Sequence, residues 1–236
     1  MRKILKIQRY DKVTQRSWWQ SFRYESELEH VTVATALREM NCKNPLVDMD
    51  GNIAAEIKWE CNCLQKKCGA CAMLVNGMPM LACDANLEDD CHETIELAPL
   101  SKFPVVEDLI VDRKIMFDNL KKIQIWLDGQ ADVKMPEETL EASKCLQCGC
   151  CLEICVSFTP EDEFVGTAGM VSMARLLSKA PQDQSQRTKE AYQKYFYADC
   201  GHFNACHQIC PAGMDTAHLA VHSEAAAMLI NGGADV

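Results

Sequence analysis

A repeat made of cysteines constrains this chain more than any other feature. Cysteines stand at 145, 148, 151 and 155, and the same frame returns at 200, 203, 206 and 210, with Phe203 in place of the second cysteine. Fifteen cysteines among 236 residues need a chemical reason. Met1 to Lys12 alternates charged and apolar residues and lacks the apolar stretch of a signal peptide, which places the chain in a reducing cytoplasm. There, clustered cysteines read as metal thiolates and not as disulfides. A net charge of −10 without any basic patch argues against nucleic acid. No run approaches the roughly 18 apolar residues of a membrane span, so a membrane is met only through a partner.

Spacing selects the metal. Cys63-x4-Cys68-x2-Cys71 followed by the distant Cys83 matches the plant-type [2Fe–2S] pattern, in which one tight loop supplies three thiolates and a neighbouring strand the fourth. Zinc sites use two separate Cys-x2-Cys knuckles, and only one such pair is present here. Cys61 lies six residues, not four, before a loop cysteine when counted to Cys68 and is left out. Cys145-x2-Cys148-x2-Cys151-x3-Cys155 is the two-cluster ferredoxin run, whose fourth cysteine serves the other cluster. The second run ends in Cys210-Pro211, as such runs do. Crossing the fourth cysteines groups Cys145, Cys148, Cys151 and Cys210 for a [4Fe–4S] cluster. Cys155, Cys200 and Cys206 remain. Phe203 cannot bind iron, so three thiolates point to [3Fe–4S].

The pattern along the chain predicts an α+β protein of two domains. Residues 1–104 read as a β domain: alternation over Lys3–Tyr10, β-prone residues over Trp18–Tyr24, a short helix over Val31–Met40, and a hairpin turning at Asn76-Gly77. Thr94–Leu97 completes the strands. Pro99 and Pro104 punctuate the change near Lys102–Glu107, and residues 105–236 read as helical. Helices are expected with Met116, Leu120, Ile123 and Leu127 on one face, over Ala168–Ser178, over Ala191–Tyr197, and over Thr216–Ile230. Asp215 caps the last of these and Asn231-Gly232-Gly233 stops it.

Three clusters in this order on a chain of this length resemble the iron–sulfur subunit of succinate dehydrogenase and fumarate reductase, respiratory complex II. The resemblance rests on Cys63-Leu-Gln-Lys-Lys-Cys68-Gly-Ala-Cys71-Ala, on Cys145-Leu-Gln-Cys148-Gly-Cys-Cys151 and on Cys206-His-Gln-Ile-Cys210-Pro211. It implies a β-grasp, plant-type ferredoxin-like domain followed by a helical two-cluster domain. It also implies a partner carrying covalent FAD, a membrane cytochrome b anchor, and a quinone near the [3Fe–4S] end. The chain itself would then sit on the inner face of the cell membrane, bound through the anchor. Glu163-Phe-Val-Gly-Thr-Ala-Gly169 resembles the menaquinone-linked branch. Two departures stand out. Lys66 occupies a place usually held by glycine, and Cys155-Val-Ser-Phe-Thr-Pro160 lacks the tryptophan pair of the ubiquinone branch.

Other features take plainer readings. Cys42, Cys91 and Cys150 read as packing residues, Trp18 and Trp19 as core or interface aromatics, and His218 and His222 as a solvated or capping face. No phosphate loop, nucleophile triad or acid–base pair stands out, so this chain carries electrons and performs no bond chemistry. The competing functions are an electron-delivery subunit of a soluble thiol-dependent fumarate reductase or acrylate-type reductase, and a structural zinc module.

Overall fold

The computed structural model describes residues 1–129, 137–177 and 182–222. The chain forms two compact units, Met1–Asp112 and Arg113–Val236.

In the first unit, β1 (Arg2–Asp11) and β2 (Arg16–Glu25) pair antiparallel from Arg2↔Glu25 to Asp11↔Arg16. The alternation in β1 sends Leu5 and Ile7 inward, and both are fully buried. Helix α1 (Val33–Asn41) follows, capped by the Thr32 hydroxyl, which accepts from the Thr35 N–H at 3.2 Å. Its Val33, Ala34, Ala36, Leu37 and Met40 are buried. Two-residue strands β3 (Leu46–Val47) and β4 (Ile53–Ala54) pair beside it. Strands β5 (Ala72–Val75) and β6 (Met78–Leu81) form the hairpin, with Asn76 and Gly77 both at positive φ, as its two-residue turn requires. β7 (Thr94–Ala98) pairs parallel with β1 and antiparallel with β5. The sheet order is β2-β1-β7-β5-β6, a five-stranded mixed sheet of β-grasp type. A short hairpin, β8 (Val105–Glu107) and β9 (Ile110–Val111), closes the unit.

The second unit is helical. It comprises α2 (Lys114–Lys122), α3 (Glu137–Ser143), α4 (Cys150–Ile154), α5 (Gly166–Leu177), α6 (Gln182–Tyr192) with a π-helical turn to Tyr197, α7 (Ala205–Gln208) and α8 (Thr216–His222). The unit is built around α5. All its residues but Arg175 are buried, and α2, α3, α4, α6 and α8 all touch it. Gly166 opens α5 at φ +62°, and a Cβ there would lie 2.3 Å from the Leu152 side chain, so the backbone approach to α4 needs glycine.

One expectation changes, and one holds as far as the described residues reach. Helix α2 ends at Lys122 because the chain reverses through Gln124 at φ 52°, and Leu127 is 42% exposed instead of lying on a buried face. The last helix starts at Thr216, with the Asp215 carboxylate accepting from the His218 N–H at 2.8 Å. Residues 223–236, including the expected stop, lie outside the described residues, as does Ser178.

Candidate iron–sulfur centres

The segment entering the first cysteine loop is pinned from three directions. Asn41 donates to the Ile57 carbonyl (2.8 Å) and accepts the Ile57 N–H (2.9 Å). Arg9, 4% exposed, donates to the carbonyl of Glu56 at 3.0 Å and, through Nε, to the Asp108 carboxylate at 3.0 Å. That carboxylate also accepts the N–H groups of Tyr10 (3.0 Å) and Lys58 (2.9 Å). The loop that follows curls tightly, with Leu64 and Lys66 at positive φ beside Gly69. This curl turns N–H groups onto sulfur. Gln65 and Lys67 donate to Cys63 Sγ at 3.4 and 3.3 Å, and Lys66 donates to Cys83 Sγ at 3.3 Å.

Cys63 and Cys68 interact directly, and Cys71 faces both Cys83 and Cys68. The hairpin brings Cys83 back, and the Ala82 N–H bonds the Cys71 carbonyl at 3.0 Å. All four sulfurs named from the spacing therefore meet at one loop. The N–H groups of Gln65 and Lys67 pull the Cys63 thiol down to about 7. Burial pushes Cys71 up to about 12. Cys61 is exposed, outside this group of contacts.

In the second unit, Gln147 at φ 51° and Gly149 at φ 91° wind the 145–151 segment around a pocket lined by Cys145, Cys148, Cys151 and Cys210. Cys151 lies on α4, close to Cys148, Cys145, Cys206 and Cys210, and burial raises its thiol well above the ordinary range. Burial likewise raises Cys145, whose sulfur accepts from Gln147 Nε2 at 3.3 Å. Cys148 is held down to about 7, chiefly by a hydrogen bond from the Cys150 thiol and also by the nearby Arg113. Cys150 thus has a partner as well as a packing role, being fully buried.

A neighbouring pocket is lined by Cys155, Cys200 and Cys206 together with Phe164, Phe196 and Phe203. Cys200 faces Cys206 and Cys155, and burial raises its thiol. The Thr216 hydroxyl, 1% exposed, reaches Cys206 Sγ at 3.7 Å. Phe203 stands between His202 and Asn204, both at positive φ, and its ring lies over Gly201, where a Cβ would come within 2.3 Å. Its side chain offers no donor to the three sulfurs.

These three groups fit iron–sulfur clusters on donor chemistry. Each is all sulfur, the donor type favoured by soft metal centres. Burial favours neutral thiols at Cys71, Cys145, Cys151 and Cys200, so gathering several thiolates there requires a cationic centre to offset their mutual repulsion.

Comparison with known proteins finds 2Fe-2S and 4Fe-4S domains in this chain. Residues 4–118 match the 2Fe-2S iron-sulfur cluster binding domain, and residues 141–214 match the 4Fe-4S dicluster domain. The succinate dehydrogenase iron-sulfur subunit of Bacillus subtilis is 38% identical over 86% of this chain and 85% of its own. The chain belongs to the family of succinate dehydrogenase and fumarate reductase iron–sulfur subunits. The fumarate reductase iron-sulfur subunit of Wolinella succinogenes is 30% identical over 67% of this chain and 72% of its own. A chain of the Mycobacterium smegmatis Sdh1 complex in the apo form shares the fold at a TM-score of 0.78, covering 99% of this chain and 98% of that one at 20% identity.

Four cysteines lie outside these three groups. Cys42 and Cys91, read from the sequence as packing residues, are both exposed. Cys91 lies between Asp90 and His92, and the three could gather around a metal ion by distance alone. The Asp90 carboxylate is already engaged by Asn76 Nδ2 (2.6 Å), the His92 N–H (2.9 Å) and His92 Nδ1 (2.6 Å), while Lys3 Nζ binds the carbonyls of Asp90 and His92. Those bonds make it a tied-down turn. Trp18 and Trp19 are each 44% exposed on edge strand β2, which fits an interface more than a core. The side chain of His222 lies outside the described residues. His218 bonds through its backbone to the Asp215 cap.

Proposed function

We propose that this chain is the electron-transfer subunit of a succinate:quinone or quinol:fumarate oxidoreductase, joining a FAD-containing catalytic subunit to a membrane cytochrome b anchor and a quinone. Cys63, Cys68, Cys71 and Cys83 hold a [2Fe–2S] cluster. Cys145, Cys148, Cys151 and Cys210 hold a [4Fe–4S] cluster, and Cys155, Cys200 and Cys206 a [3Fe–4S] cluster. Such clusters, when bound, exchange single electrons at potentials set by their surroundings. The protein's own part is to fix the sulfurs, supply N–H and hydroxyl donors to them, and keep water out.

The observation that carries this reading is the crossing of the two cysteine runs. Cys145 lies beside Cys210, 65 positions further on, while Cys200 lies beside Cys155. A pair of independent zinc knuckles has no need of that exchange. No helix among the described residues is long and apolar enough to cross a membrane, which is consistent with attachment through the anchor. The menaquinone-linked stretch Glu163–Gly169 supports that quinone. Purification from the native membrane tests the assembly. Co-isolation with a flavoprotein and a haem-bearing membrane subunit, with menaquinol oxidised by fumarate, is the expected result. A haem-free complex active with a thiol or acrylate-type substrate would instead establish the delivery role for a soluble reductase, which the missing tryptophan pair also fits.

A further inference from the structure

Lys66 sits at φ +58°, a backbone state that glycine adopts freely and a long side chain does not. Its position also does two things at once. The amide donates to Cys83 Sγ at 3.3 Å, and the ammonium pairs with the Asp84 carboxylate at 2.7 Å. Cys83 and Asp84 are neighbours just beyond β6, held by the Ala82 N–H on the Cys71 carbonyl and the Asp84 N–H on the Leu81 carbonyl. The loop and the strand end that carries the fourth cysteine are therefore joined twice through one residue. A glycine at 66 would relieve the backbone and keep the N–H, yet it would lose the second joint.

We propose that Lys66 and Asp84 form a clasp that holds the cysteine loop closed over Cys83, keeping the Lys66 N–H on that sulfur and so raising the reduction potential of the first centre. This rests on the [2Fe–2S] reading above. An N–H aimed at a ligand sulfur stabilises the extra electron of the reduced state, and losing it lowers the potential. The pair itself is nearly half exposed, 45% and 40%, so it adds little to global stability. Both are positioning residues, and the potential is where they act.

The sign of two shifts separates a clasp from simple charge. If Lys66 and Asp84 acted only as charges, Lys66→Met would lower the potential and Asp84→Asn would raise it. A clasp predicts that both lower it, since each frees the N–H from Cys83. Redox titration of the assembled complex, followed by the EPR signal of the reduced [2Fe–2S] centre, reads this directly. The expected result is a downward shift in both single variants. The exchanged pair Lys66→Asp/Asp84→Lys should recover most of the wild-type value, because Asp tolerates positive φ. An upward shift or no shift in Asp84→Asn overturns the clasp. If the wild-type complex shows no [2Fe–2S] signal, the underlying cluster assignment has failed instead.

Discussion

Replacing Asp108 with Asn tests how the first centre is held from behind. The Asp108 carboxylate is 3% exposed and faces the Arg9 guanidinium at 3.0 Å, itself 5% exposed. One carboxylate oxygen accepts from Arg9 Nε and the Tyr10 N–H, and the other from the Lys58 N–H at 2.9 Å. An amide keeps only one acceptor, so its NH2 must face a donor, and Arg9 is left buried without its counter-charge. Breaking one side of a buried pair costs about 3–5 kcal/mol. At about 1.4 kcal/mol per factor of ten, the unit's folding constant falls by two to nearly four powers of ten. The loss has a local consequence, because the same network holds Ala55 to Lys58, just before Cys61. In purified Asp108→Asn complex, the EPR intensity of the [2Fe–2S] centre should fall relative to the centres of the second unit. Denaturant midpoints should fall with it. Arg9→Met/Asp108→Asn, which removes both charges but keeps an acceptor for a backbone N–H and a residue that tolerates φ +46°, should recover part of the stability. Full [2Fe–2S] occupancy and an unchanged midpoint in Asp108→Asn would refute the reasoning.

Three further outcomes follow from the geometry. Gly166→Ala forces a side chain into a left-handed position and into Leu152, so it should destabilise the helical unit by about 1–3 kcal/mol, read as a lower thermal midpoint. Phe203→Cys places a fourth sulfur at the second frame position of the last run; the EPR signal of an oxidised [3Fe–4S] centre should disappear and that of a reduced [4Fe–4S] centre should grow. Tyr24, buried and bonded to Glu39 at 2.6 Å, has its phenol pushed up to about 12 by desolvation and then by that carboxylate. Its folded pKa exceeds the unfolded value near 10, so this contribution to stability is complete below pH 10 and is lost as pH rises from there through about 12. Ultraviolet titration should show a late-titrating phenol that is missing in Tyr24→Phe.

The parts legible in the sequence are those where a repeating pattern or a strict chemical spacing had to survive. β1 and β2 show the alternation of half-buried strands, and Asn76-Gly77 shows the only backbone its turn accepts. The eleven cysteines named from their spacing lie near one another, four at the first loop and seven along two neighbouring pockets of the second unit. What stayed hidden lacked a pattern of its own. β3, β4, β8 and β9 are two or three residues long, too short for periodicity to register. Helices α4 and α7 lie inside the cysteine runs, where ligand spacing masks the helical repeat. Arg9 and Asp108 are 99 residues apart and carry no local sign of each other. The Lys66–Asp84 pair depends on a left-handed backbone that a lysine does not announce.

EPR of anaerobically purified protein, as isolated and then reduced, tests the crossed cysteine sets. An oxidised three-iron signal and a reduced [2Fe–2S] signal are predicted, with iron and sulfide matching one [2Fe–2S], one [4Fe–4S] and one [3Fe–4S] centre. Zinc without acid-labile sulfide would mean that the cysteines hold no iron–sulfur cluster.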